Sequence, residues 1–234
     1  MVKAKLSRKA LGYLGAITGG ILSYLALDTG SAAEKIVGDF LSSKAWQDFL
    51  ISLALTSTAL IGTWLALSSL ERREGKHAED SQLPLIVALG LGVHNVGEGF
   101  AIASALLSGA ISSAFAFTVG FAVHNATEGI AIASPSVLTR SRWAGIRRVL
   151  GLSLLAGLPT MLGASIYYLG VNSPHFLAFL YTVASASLVF VMVKINMVSA
   201  GLLGGFREKF WTWLFLGVAL AYGLESLMTI LGTL

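Results

Sequence analysis

The chain has 234 residues, of which 55% are hydrophobic and only 12% are charged, and its formal net charge is +4. This balance excludes an ordinary soluble domain and favours an integral membrane protein. The chain contains no cysteine, which excludes disulfides and thiolate metal ligands. Any metal site must therefore be built from nitrogen and oxygen donors.

Apolar segments follow one another along the chain, each close to the roughly 20 residues that a helix needs to cross the hydrocarbon core. They predict an all-α fold, a polytopic membrane bundle of about seven transmembrane helices that forms one domain over residues 1–234. No small-residue cleavage signal accompanies the first segment, so we expect it to be retained as a span. The segments lie at 10–27, 49–70, 83–107, 110–135, 149–169, 176–198 and 210–231.

The connections between these segments predict the topology. Residues 28–48 carry several charges and are predicted to form a surface connection with an amphipathic helical stretch. Lys and Arg gather before the first segment and after the second, fourth and sixth, and the loop near 71–82 is strongly charged. Because cytoplasmic loops carry an excess of Lys and Arg, we expect a multi-pass cell-membrane protein with its N-terminus cytoplasmic and its C-terminus outside.

The third and fourth segments contain two near copies of one motif, GVHNVGEGFAIAS at 92–104 and AVHNATEGIAIAS at 122–134. Each copy places a Glu four residues after a His, on the same face of a helix. An ionisable side chain in the middle of a membrane costs about 3 kcal/mol, so a repeated pair indicates function. The pattern predicts a divalent-metal site near mid-membrane. Its ligands are predicted to be His94, Glu98, His124 and Glu128, with Asn95 and Asn125 beside them.

Two further features favour one shared site. Only a few residues around Gly109 join the two motif helices, which must therefore be antiparallel neighbours. Both helices are rich in glycine and alanine, and small residues let helix backbones approach closely in lipid. The two asparagines remain open to either role, as oxygen ligands or as groups that orient the histidines.

At these residues the sequence resembles the ZIP (Zrt/Irt-like) family of divalent-metal transporters, as a divergent prokaryotic-type member. The family carries an HNxPEG-type motif in two consecutive helices, and HNVGEG and HNATEG match it at His, Asn, Glu and Gly. The resemblance implies transport of a divalent cation as substrate. Zn²⁺ or Fe²⁺ is the leading expectation, and Mn²⁺, Co²⁺ and Cd²⁺ remain open. It also implies an elevator-like motion, with the motif helices and the fifth span moving against the rest.

The chain departs from the family pattern at several places. Gly97 and Thr127 replace the motif proline, and the family's first helix has no counterpart before the charged loop. Thr160 stands in GLPTMLGA where the family commonly has a Glu that helps to hold a second ion. With Glu98 and Glu128 as the clearly placed carboxylates, we expect a single well-occupied ion. The residues predicted for a second position or for gating are Thr160, Glu225 and Lys194.

Other ionisable residues are given simpler interpretations. Lys194 is expected either to extend its ammonium toward the cytoplasmic end of its span or to form an ion pair. Glu225 is expected either to carry protons or to pair with Lys194. His77 and His175 are expected to be surface histidines.

Competing functions are an intramembrane metalloenzyme and a membrane protein that binds or senses metal without carrying it. Zinc proteases need a Glu directly after the first His, but Asn occupies that position in both copies. We therefore predict a transporter that is not an enzyme, with the lipid bilayer as partner, no nucleic acid, and a homodimer left open. Only a flux measurement separates it from a protein that binds without transport.

Overall fold

The computed structural model describes residues 7–72, 83–136 and 142–232, with some side chains inside these ranges left undescribed. These ranges form helices alone, which confirms the predicted all-α bundle. Six helices are long and apolar enough to cross a membrane, and in α4 the described apolar stretch is Ile111–Ala122. The helices are α1 (Arg8–Ser42), α2 (Trp46–Arg72), α3 (Leu83–Leu107), α4 (Ile111–Ser136), α5 (Arg142–Tyr168), α6 (Pro174–Leu203) and α7 (Glu208–Gly232).

The first helix is longer than the sequence predicts. The hydroxyl of Ser7 accepts the backbone N–H of Ala10 at 3.1 Å and caps the start of α1. The helix then continues for 35 residues, a length of about 52 Å that exceeds the hydrocarbon core. The prediction of a helical stretch within 28–48 is confirmed, but that stretch continues α1 and is not a separate surface connection. The stretch contains no proline, so the helix continues to Ser42 and the connection is limited to residues 43–45.

The other described connections are short, and glycine or proline sets their geometry. Gly109 has φ 79° in the tight turn between α3 and α4, a backbone conformation that glycine adopts without strain. This confirms that the two motif helices are antiparallel neighbours. Pro174 begins α6, where its missing N–H costs nothing. Gly204 ends that helix with φ 85°, as left-handed C-cap glycines commonly do.

Glycines let α3 pack directly on the backbone of α5. A Cβ atom at Gly99 would overlap the carbonyl of Thr160, and one at Gly163 would overlap the carbonyl of Val96. We call this contact the α3–α5 seam. The small residues of α3 therefore bring it against α5 as well as α4, a partner that the sequence analysis did not foresee.

A second set of glycines holds α1 against α6 and α7. A Cβ atom at Gly20 would overlap the carbonyl of Leu214, and one at Gly217 would overlap the carbonyl of Ile17. On the neighbouring face of α1, a Cβ atom at Gly19 would overlap the amide of Asn196 on α6. We call these contacts the α1 seams. Such close approach is typical of helices that associate in lipid.

Large apolar side chains fill one end of the bundle. Buried residues of α1, α3 and α6 form this core, among them Leu22, Val87, Leu91, Leu188 and Val191. They lie on the N-terminal sides of the middles of α1 and α3, and in the C-terminal half of α6. Since these helices alternate in direction, the core occupies the end at which α1 and α3 begin.

Polar side chains join α2 and α6 at the opposite end. The hydroxyl of Ser52 lies 2.6 Å from Nδ1 of His175, and Nε2 of His175 lies 3.2 Å from a carboxylate oxygen of Asp48. Phe40 of α1 stacks on the imidazole, with ring centroids 4.9 Å apart. The side chain of His175 is 24% exposed, so it reaches the surface as predicted, while its ring also packs at the junction of three helices. His77 lies outside the described residues.

Candidate metal site

The first motif copy forms a buried pair on α3. The Nε2 atom of His94 lies 3.6 Å from Oε1 of Glu98, one helical turn further on. The two residues are only 8% and 4% exposed. The other imidazole nitrogen, Nδ1, lies 3.3 Å from the hydroxyl of Thr29 on α1, which also donates to the carbonyl of Leu25. The i, i+4 spacing thus produces the predicted pairing, and α1 supports it from across the bundle.

The second motif copy, on α4, contacts the first through its asparagine. The side-chain amide of Asn125 donates to Oε2 of Glu98 at 3.1 Å. Glu128 follows on the same helix and is buried, with 3% exposure. The side chains of His124 and Thr127 lie outside the described part of the structure. The contact gives Asn125 a positioning role toward Glu98, whereas the sequence analysis considered a role as oxygen ligand or as a group that orients a histidine.

Asn95 is held by the helix on the other side of α3. Its amide donates to the carbonyl of Ala156 on α5 at 2.9 Å. Pro159 lies inside α5 and has no N–H with which to bond the carbonyl four residues earlier, which locally loosens the helix. Among the described residues, the side-chain oxygens of Asn95 and Asn125 are buried and have no hydrogen-bond donor. A buried amide oxygen without a donor costs about 1–3 kcal/mol, so both oxygens favour a bound donor or cation nearby.

A cavity of about 160 Å³ opens beside the His94–Glu98 pair. Carboxylates reach its lining from opposite sides, Glu98 from α3, Asp28 from α1 and Glu225 from α7. Tyr181 of α6 lies in the same wall. Acidic groups from three helices thus line one small space, with Glu98 buried, Glu225 partly buried and Asp28 exposed.

The predicted site residues divide into those that line the cavity and those that support it or lie elsewhere. The ammonium of Lys194 lies 5.5 Å from the centroid of the Phe190 ring. The backbone carbonyl of Thr160 contacts Gly99 in the α3–α5 seam. Of the described candidates, the cavity lining includes His94, Glu98 and Glu225 but not Asn95, Asn125, Glu128, Thr160 or Lys194.

Asp28 is a site residue that the sequence analysis missed. It was assigned to a surface connection because charges follow it closely in the sequence. Leu25, Asp28, Thr29 and Ala32 all line the cavity, and their spacing of three and four residues is that of one helical face. This pattern was visible in the sequence, but it carries meaning only if the helix continues beyond residue 27.

The carboxylates around the cavity also change the expected local charge. The expectation of a single ion counted Glu98 and Glu128 alone, whereas Asp28 and Glu225 lie in the same lining as Glu98. Among the described residues, no three His, Asp or Glu side chains come close enough together to form a metal-binding group. The arrangement is an acidic cavity with one His–Glu pair in its wall, rather than a closed coordination shell.

A comparison with protein-family models finds no match for this chain, and a comparison with curated proteins also finds none. The fold and the spans define the class of the protein as a multi-pass helical membrane protein.

Proposed function

We propose that the protein transports a divalent transition-metal cation of the Zn²⁺/Fe²⁺ class through the cavity beside His94 and Glu98. The observation that carries the proposal is the meeting of a buried His–Glu pair with Asp28 and Glu225 in one intramembrane cavity. Imidazole and carboxylate suit these cations, and acidic side chains are rare at such depth without a function.

The hydrogen bonds around the pair support this proposal. A metal ligand must be deprotonated and held in orientation, and groups behind the ligands commonly do both. Asn125 donates to Glu98, and this hydrogen bond holds the carboxylate in one orientation. Thr29 lies at the imidazole nitrogen that faces away from Glu98, where it can fix the tautomer. Water and the other carboxylates of the cavity would complete the shell of a bound ion.

The packing of the helices supports transport of the metal ion rather than binding alone. The cavity lies between helices of the two glycine seams, with α3 on one side and α1, α6 and α7 on the other. A site between two separately packed sets of helices can be exposed to each side of a membrane in turn when the sets move. The same arrangement agrees with the elevator-like motion implied by the resemblance to ZIP transporters. The orientation we propose has the N-terminus in the cytoplasm and the C-terminus outside, in the cell membrane.

The test is metal uptake into proteoliposomes that contain the purified protein, with Zn²⁺, Fe²⁺, Mn²⁺, Co²⁺ and Cd²⁺ supplied separately under an imposed pH gradient. Glu98→Gln keeps the shape of the side chain and removes its charge, so we expect uptake to be lost while the protein stays folded. The matched control is Glu34→Gln, which changes an exposed residue of α1 and should leave uptake unchanged.

The outcomes separate the competing functions. Uptake that depends on Glu98 and not on Glu34 supports transport through this cavity. Saturable zinc binding without uptake would assign the protein to metal binding or sensing. Near-normal uptake by Glu98→Gln would refute the proposed site.

A further inference from the structure

A second, larger cavity adjoins the one beside His94. This outer space, which we call the vestibule, has a volume of about 700 Å³. The two spaces share three lining residues, Ala101, Phe117 and Tyr181. The vestibule is formed by the C-terminal end of α1, the α3–α4 turn and the α5–α6 turn, all at one end of the bundle.

Single helical faces run through both spaces without interruption. On α3 the lining passes from His94 through Glu98 and Ala101 to Ser104 and Ser108, in steps of three and four residues. Such spacing keeps the side chains on one face of the helix. The lining of α1 continues in the same way from Ala32 to Ile36 and Asp39. The serines, Asp39 and Asn172 place polar groups along a vestibule whose lining is otherwise mostly apolar.

The other end of the cavity is closed. Leu25 lies in the cavity lining and also belongs to the apolar core. Behind it, Leu22, Leu91, Leu188 and Val191 are all buried and in the same cluster. A hydrated cation cannot cross tightly packed aliphatic side chains without large movement, because its desolvation is costly. In the part of the chain that the structure describes, the site is therefore closed toward the end of the bundle at which α1 and α3 begin.

Two aromatic side chains, Tyr181 and Phe117, lie where the linings of the vestibule and the cavity meet, a boundary that we call the passage. Tyr181 is half-buried, and the edge of its ring lies 3.1 Å from where a Cβ atom at Gly97 would stand. Phe117 reaches the passage from α4 and stacks with Phe121, with ring centroids 5.8 Å apart. Since Tyr181 belongs to α6 and Phe117 to α4, relative movement of these helices would change the width of the passage.

We propose that the vestibule is the route by which a hydrated cation reaches His94 and Glu98, and that Tyr181 and Phe117 form its gate. The structure is then the conformation open toward the α3–α4 turn, with the apolar core as the closed side. This inference rests on the proposed function for the identity of the ion. The existence of the route can be tested without transport.

Cysteine labelling provides that test, because the natural chain has no cysteine and any single replacement is its only thiol. Ser104→Cys places a thiol in the vestibule, and Ser187→Cys places one in the closed core, where Ser187 is 2% exposed. A charged methanethiosulfonate reagent should modify the Ser104→Cys variant readily and leave the Ser187→Cys variant intact. An inert Ser104→Cys variant, or equal rates for the two, would overturn the route.

The gate is tested by measuring the labelling rate of a thiol on the inner side of Tyr181 and Phe117. Ala32→Cys lies in the inner cavity, and adding Tyr181→Ala should increase its labelling rate roughly tenfold, since the rate follows the exposure of the thiol. Tyr181→Phe is the matched control, because it keeps the ring and should leave the rate unchanged. Phe117→Ala provides a second opening variant if Tyr181→Ala fails to fold. Equal rates in all folded variants would refute the gate.

Zinc separates this inference from the proposed function. Zn²⁺ should slow the labelling of Ala32→Cys but not of Ser104→Cys, and Glu98→Gln should abolish the protection. A normal labelling pattern without zinc protection would refute a cation as the occupant of the cavity and overturn the proposed function, while the measured rates would still establish the aqueous route.

Discussion

The seams differ in packing from the contact between α3 and α6, which we call the cleft. In the α3–α5 seam and where α1 meets α7, glycine backbones lie directly against the carbonyls of the partner helix, whereas Gly19 of α1 meets the side-chain amide of Asn196 on α6. Across the cleft, Gly97 and Gly90 of α3 instead face side chains of α6, the ring of Tyr181 and a methyl of Val191, each at 3.1 Å. Backbone contacts of the first kind fix two helices together, whereas side chains can change rotamer. From this difference we predict that α3 moves with α5 and α1 with α7, and that any opening occurs between α3 and α6.

The largest expected effect comes from breaking a seam. Gly99→Ala and Gly163→Ala each place a methyl group against a backbone carbonyl, which cannot move without separating α3 from α5. We expect each to lower the free energy of unfolding by about 3 kcal/mol, at the high end of overpacking costs. Thermal unfolding of the purified protein in detergent measures the change.

The control for this prediction lies on the same helix. A Cβ atom at Gly157 of α5 would meet nothing within 4 Å, so Gly157→Ala should be neutral or slightly stabilising, since alanine favours helix. Equal loss of stability in all three variants would show that the seam is not what holds α3 to α5.

A smaller effect is expected in the cleft, on affinity more than on stability. Asn125→Ala removes the hydrogen bond to Glu98 without touching a seam. Loss of a group that orients a metal ligand should weaken zinc binding roughly tenfold, as measured by calorimetry. Asn172→Ala is the control, because Asn172 is an exposed residue at the vestibule. Unchanged affinity in Asn125→Ala would exclude the positioning role of Asn125.

The sequence predicted those features that depend on local spacing. Apolar length identified the helices, and the i, i+4 rule placed His94 beside Glu98, because both follow from the geometry of a single helix. The motif also led to Asn125, although its contact with Glu98 depends on how α3 and α4 pack. The helices and the His94–Glu98 pair can be predicted from the geometry of a single helix and a tight turn alone.

The sequence analysis missed features that depend on which helices pack against each other. Glycines mark close approach but do not specify the neighbour, so the contact of Gly99 with α5 could not be predicted from spacing. Asp28 was assigned to a surface connection because a charged stretch follows it, whereas its helix continues and turns it toward the cavity. His175 depends on Ser52, which is more than a hundred residues away in the chain. Such long-range contacts have no signature in local composition.

The most direct test of the central claim is zinc K-edge X-ray absorption of the purified protein loaded with Zn²⁺. The account predicts a shell of nitrogen and oxygen donors with the scattering pattern of imidazole, and loss of that bound zinc in the double variant His94→Ala, Glu98→Gln. A spectrum and zinc content unchanged in the folded double variant would contradict it, because the ion would then be bound somewhere other than the cavity beside His94 and Glu98.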